Sequence, residues 1–190
     1  MDDIVKAALA KWPKVPACYG WLGLDGRGQW FMRDDRAQAA GPFAGPGSSQ
    51  LSRGSLLRHD KLIDFIARNY EPDAQGRWFF QNGPQRVYVE LEATPLIWRV
   101  HDDFSVRAHT GLAASVQSTW LDELGRLYLH TEHGLGLVHS QDMVLAGEAV
   151  ERGLWQPQEL KGQEMPLRFG YVRSPASGQQ ARLPSSEAHP

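Results

Sequence analysis

The sequence predicts an α+β protein: a mainly antiparallel sheet with two lobes built from related β-hairpin/helix units, and a helix at the N-terminus. Three observations predict it. An apolar stripe at three-to-four spacing opens the chain. Much of the stretch from 77 to 139 alternates apolar and polar side chains, and an Asp-x-x-Gly turn ahead of an apolar run occurs three times. With 190 residues and 42% hydrophobic side chains, one large domain or two small ones can bury a core. Lys plus Arg is 20 against 22 for Asp plus Glu, a balance without the basic excess of a nucleic-acid binder. No apolar run reaches the roughly 18 residues of a membrane span. The start MDDIVKAALAKW lacks the layout of an export signal, and the single cysteine, Cys18, fits a reducing compartment. A cytoplasmic location is expected, with neither nucleic acid nor membrane as partner.

Taken in order, Ile4, Val5, Ala8, Leu9 and Trp12 form the stripe of the first helix, which Pro13 ends. CYGWLGLDGRGQWFMRDD reads as a hairpin about the turn Asp25-Gly26-Arg27-Gly28. From Arg36 to Arg53 the chain turns to Ala, Gly, Pro and Ser, the composition of a long mobile surface loop able to cover a cleft. A helix is expected over Asp60 to Tyr70, with Leu62, Ile63, Phe65, Ile66 and Tyr70 on its core face. In RVYVELE, Val87, Val89 and Leu91 take one face, while Arg86, Tyr88, Glu90 and Glu92 take the solvent face. LIWRV, FSVRAH and SVQSTWLDELGRLYLHT continue the strands. Ser140 reads as an N-cap, with Met143, Val144 and Val150 available for burial. From Arg173 apolar residues run out and disorder is expected. These readings divide the chain into an N-terminal lobe over 1–72, a β-rich lobe over 73–172 and a tail over 173–190.

The recurrent turn begins at Asp25, Asp73 and Asp122, spacings of 48 and 49 residues. Good turn chemistry alone accounts for Asp-x-x-Gly. However, a helix start follows the first and third copies too, and the offsets differ by about the length of the Gly/Pro/Ala loop. A duplicated hairpin-plus-helix unit with one insertion is therefore expected, and two packed units leave a cleft where ligands sit.

The run MDDIVKAALAKWPKVPACYGWLGLD resembles the start of an uncharacterised proteobacterial family known only as a domain of unknown function. From Gly28 to about Val100 the layout is similar to a second such family. The motifs are the hairpin at Gly28-Gln29-Trp30-Phe31, the helix from Leu56 to Phe65, and the strands at Gly76–Phe80, Val87–Glu90 and Ala93–Leu96. The resemblance implies an α+β protein with repeated motifs and a ligand-binding or signalling role. It assigns no reaction and supplies no functional residue.

Two constellations carry possible chemistry. Arg86, Arg99 and Arg107 fall on polar strand phases with Tyr88 and His109 on related faces, a surface able to bind an anion because guanidinium forks match carboxylate and phosphate. Cross-strand pairing with Glu90 and Glu92 is the plainer reading of the same arginines. His130, His133 and His139 make the alternative, a three-ligand metal site for a hydrolase, though a strand end points His130 and His133 to opposite faces. The glycines at 23, 26 and 28 do not match a dinucleotide fingerprint and no P-loop is present, so no cofactor is implied. The expected function is thus non-catalytic: a module with a signalling or accessory role that binds a small anionic ligand or a protein partner.

Overall fold

The structure, a computed structural model, describes residues 1–180. Two sheets, mostly antiparallel, make the two-lobed α+β architecture that the sequence predicts. The first sheet takes its strands from β1 (Cys18–Leu24), β2 (Trp30–Met32), β3 (Ser55–Leu56), β4 (Tyr70–Pro72), β5 (Trp78–Asn82) and β6 (Gln85–Leu91), in the order β3-β2-β1-β6-β5-β4. The second is built from β7 (Leu96–Val100), β8 (Val106–Ala108), β9 (Ala113–Ala114), β10 (Val116–Leu121), β11 (Leu127–Thr131), β12 (Gly134–Val138) and β13 (Gln158–Glu159). Its order is β13-β10-β11-β12-β7-β8-β9. The sheets part between Leu91 and Leu96, not at residue 72, because β6 pairs in parallel with β1, Leu22 opposite Val89. That long-range pairing draws β4, β5 and β6 into the first sheet. Leu22, Leu24 and Val89 of the first sheet share one core with Ile97, Trp98 and Leu129 of the second.

The three Asp-x-x-Gly turns are built alike. In each, the Asp N–H donates to the carbonyl four residues on, the Gly N–H donates to the Asp carbonyl, and Asp Oδ1 accepts two further backbone N–H groups. One carboxylate thus satisfies the donors that a tight turn leaves free. At Asp73 and Asp122 the second oxygen also accepts from an arginine and a tyrosine hydroxyl, Arg77 and Tyr88 or Arg126 and Tyr128.

The first helix, α1 (Asp3–Lys11), forms but buries only Val5; Ile4 is 75% exposed and Trp12 50%. The helix is docked at its start, where the Asp2 N–H donates to Asn69 and the Asp2 carboxylate pairs with Arg68, and by the Val5, Ala8 and Leu9 part of its apolar stripe, while Ile4 and Trp12 stay in solvent. α4 (Asp60–Arg68) lies where the sequence places it and buries Ile66, while Tyr70 passes into β4. After β12, His139 rather than Ser140 caps the helical run: its Nδ1 accepts from the Gln141 N–H. α5 (Met143–Glu151) buries Ala146 and Ala149, with Val144 76% exposed, and the short α6 (Met165–Phe169) buries Met165. No helix among the described residues is long and apolar enough to cross a membrane.

The largest departures from expectation lie on the outer face of the first sheet. The segment from Arg36 to Arg53 is packed, not loose: α2 (Asp35–Ala39) and α3 (Gln50–Arg53) bracket Phe43, which is buried against Phe31. Arg33 ties this arc down, donating to the carbonyls of Gly20, Gly41 and Ser52. The chain from Arg173 is likewise ordered as far as it is described. α7 (Pro175–Gln180) packs beside β1 and β6, and the Glu90 carboxylate accepts from Ser174 Oγ and the Ala176 N–H. Tyr88 and Glu90, expected in solvent, are buried: Tyr19 and Arg77 cover Tyr88, and the start of α7 covers Glu90. The expected disorder over 181–190 lies outside the described residues.

Candidate functional site

Where the two sheets adjoin, a groove of about 470 Å³ opens between the Asp25 turn of the first and the β10–β11 turn and β12 of the second. Arg27 comes from that turn, Arg53 from the end of α3, and Arg126 from the turn between β10 and β11. Ala93 and Leu137 supply apolar lining, and Ser140 stands where the helical run into α5 begins. The arginines arrive from three elements distant in sequence, placed by hairpin turns and by the packed arc.

Three carboxylates fix this geometry. Glu92 accepts from Arg53 Nη1 at 3.0 Å, from Arg53 Nη2 at 3.3 Å and from the Gly26 N–H at 2.8 Å. Burial pushes the Glu92 pKa up, but the Arg53 and Gly26 bonds outweigh it and hold the carboxyl below its ordinary value. Arg53 is in turn held above its ordinary value, first by its bond to Glu92. Asp25 spends Oδ1 on its own turn and lies 3.7 Å from Arg53 through Oδ2. Asp122 holds Arg126 by Nε at 2.7 Å and Nη2 at 2.7 Å, leaving Nη1 outside that clamp. Arg27 forms no ion pair among the described residues. Three guanidinium groups thus meet three carboxylates, Asp25 and Glu92 in the groove lining and Asp122 behind Arg126, so the free valence of the groove lies in Arg27 and the Nη1 edge of Arg126.

The residues singled out from the sequence do not form one surface. Arg86 lies on β6 with its guanidinium 4.5 Å over the Phe79 ring. Tyr88 is buried, stacked on Tyr19 at 4.6 Å and donating to Asp73, its pKa raised by burial and by that bond. Arg99 and Arg107 do sit opposite each other on β7 and β8 in the second sheet. Both are engaged: Arg99 binds Asp142 through two nitrogens at 2.6 and 2.9 Å, and Arg107 donates to the Gly111 carbonyl. His109 is inside the molecule between Trp30 and Tyr70, at 5.5 and 6.0 Å. Its Nδ1 accepts from the Ile97 N–H, its Nε2 has no partner, and burial lowers its pKa to about 3.

The three histidines of the metal alternative are not brought together. His130 packs on Phe169, His133 lies 3.8 Å from Glu132 at an exposed turn, and His139 caps the run into α5. Among the described residues no group of three His, Cys, Asp or Glu side chains could hold a metal ion. The turn after His130 bends the chain into β12 and carries His139 away to its end.

Residues 1–176 match the model of a family described as "Protein of unknown function (DUF2946)". The chain belongs to this family. Within this DUF2946 chain, the match spans both sheets and ends inside α7. No curated protein matches it. Among solved structures, it is similar to a DUF1285 family protein from Shewanella baltica OS155, 14% identical, covering 67% of this chain and 91% of that one, with a TM-score of 0.44. A DUF1285 family protein from Silicibacter pomeroyi DSS-3 is 10% identical, covering 74% and 82%, also with a TM-score of 0.44.

Arg27, Arg53 and Arg126 of the groove were not legible as a site in the sequence. Arg27 stands inside an Asp-x-x-Gly turn and Arg126 directly after one, where the turn role masks any other. A partial signal exists in the matching positions of Arg77 and Arg126, each directly after the turn glycine.

Proposed function

We propose that this chain is a non-catalytic module with a signalling or accessory role that binds a small anion in the groove between its sheets. The observation that carries the reading is the convergence of Arg27, Arg53 and Arg126 on one concave, partly apolar space. Arg27 is uncommitted, and Arg126 keeps an edge outside its clamp, so a carboxylate or phosphate gains charge-assisted bonds without breaking existing pairs. Glu92 and Asp25 set the position of Arg53 and limit the charge the groove tolerates, which favours a singly charged group over a polyanion. Ala93 and Leu137 suit a ligand with a small apolar body. The three alike turns, with the helices that follow the first and third, support duplication of a hairpin-plus-helix unit as the origin of the two sides.

The test is calorimetric titration with inorganic phosphate, acetate and benzoate at low ionic strength. Saturable binding that weakens with added salt is expected. Arg27→Ala and Arg126→Ala should each weaken it by about tenfold or more, the loss of one bond to a charged group. No saturation by roughly 10 mM, an affinity under about 3 kcal/mol, overturns the reading. So does binding that both variants leave intact.

A further inference from the structure

A second concavity lies on the first sheet, away from the groove. It encloses about 260 Å³ beside α4. Leu22, Phe80 and Val87 form its floor, and Leu62 and Ile66 of α4 form one wall. Trp21 and Met32 stand at its rim, 41% and 45% exposed. Asn82 and Gln85, opposite each other at the β5–β6 turn, close one end with side-chain amides.

We infer that this pocket binds an uncharged small molecule, a short alkyl chain or single ring carrying one hydrogen-bonding group. Three features select that class. The lining contains no charged side chain, so nothing compensates the burial of an ion. The volume lies just under the range of ordinary ligand pockets, which fits a fragment-sized occupant and excludes a protein segment with its backbone. The polar groups are confined to one end, and Gln85 already donates to the Pro16 carbonyl, which leaves the exposed Asn82 amide for a ligand hydroxyl or carbonyl.

The strand itself is distorted here. The pairing of β1 with β6 advances from Cys18–Val87 to Leu22–Val89, four residues against two, with Gly20 at φ +78° inside the irregularity. Bulges re-aim side chains and recur beside binding sites. In this one, Trp21 and Leu22, neighbours that a regular strand sends to opposite faces, both line the same pocket. The result leaves two large apolar side chains half in water around an apolar hollow, a surface that a ligand of this class would cover.

The probe is the series of straight-chain primary alcohols from butanol to octanol, neutral and therefore blind to the arginine groove. Cys18, which lines the pocket and is the sole cysteine, serves as the reporter through its rate of alkylation by iodoacetamide. Saturable protection is expected, with the dissociation constant falling about fourfold per added methylene until the pocket is full. Met32→Glu, a change at an exposed rim position, should weaken octanol at least tenfold while leaving the phosphate titration and the melting temperature near those of the unsubstituted chain. Protection that does not saturate, that ignores chain length, or that survives Met32→Glu overturns the inference.

Discussion

Replacing Arg33 by methionine should loosen the arc over residues 36–53 at a cost of about 3–4 kcal/mol. Arg33 is buried, and its Nε donates to the Ser52 carbonyl at 2.7 Å, Nη1 to Gly20 at 2.9 Å and Nη2 to Gly41 at 2.7 Å. A hydrogen bond to a charged group contributes about 1.5–3 kcal/mol net, so three give at least about 4.5 kcal/mol. Relief of the buried guanidinium offsets part of that, since burial is what lowers the Arg33 pKa. Methionine keeps the apolar stem and removes every donor. For a chain of this size the remainder corresponds to a fall of roughly 10 °C in melting temperature. Equilibrium unfolding in urea followed by tryptophan fluorescence reads the energy, and limited proteolysis between Gly41 and Gly47 reads the arc. Arg33→Lys, with the charge but not the fork, should fall between the two. Arg53 directly follows Ser52, so the methionine variant should also bind phosphate more weakly. A variant within about 1 kcal/mol of the unsubstituted chain, with unchanged proteolysis, would show that Phe43 alone holds the arc and refute the reasoning.

Three further outcomes follow from particular contacts. The neutral, buried His109 has a pKa near 3, below its unfolded value of about 6.5, so the unfolded state binds the extra proton as pH falls. His109 should thus leave stability unaffected above pH 7 and erode it between about 6.5 and 3, by on the order of 1 kcal/mol per pH unit; His109→Phe should flatten urea-derived stability between pH 7 and 5, and an unchanged slope would refute this. Gly76 and Gly125 hold the same turn position at φ +73° and +72°, but a Cβ on Gly76 would meet the Gly170 carbonyl while one on Gly125 meets nothing within 4 Å. Gly125→Ala should therefore cost about 1–2 kcal/mol and Gly76→Ala at least about 2 kcal/mol more, and equal costs in urea would refute the contact. Burial raises the Glu90 pKa, and the bonds from Ser174 and Ala176 and the charge of Arg33 only partly offset it. A raised carboxyl pKa means the ionised form costs stability above the unfolded value, so Glu90→Gln should raise the melting temperature at pH 7, with the gain vanishing below about pH 4.5; a lower melting temperature at pH 7 would count against it.

The sequence by itself determined what is local. The three Asp-x-x-Gly turns are legible because one aspartate satisfies its own turn, and α4 because its apolar spacing and the capping position before Asp60 act within a few residues. The same locality explains the errors. Alternation in RVYVELE sets which side chains share a face, but it carries no sign that Tyr19 stacks on Tyr88 or that α7 covers Glu90. Composition marked residues 36–53 as unburiable, yet one phenylalanine and one arginine from the preceding strand end suffice to pin them. Only the tertiary structure decided the parallel pairing of β1 with β6, and with it the division into sheets. It also decided that Arg27, Arg53 and Arg126 meet, while Arg86, Arg99 and Arg107 are engaged on separate sheets. Strand phase gives a side chain its face within two residues, whereas convergence depends on contacts across 26 to 99 positions, where no periodic signal in one chain reaches.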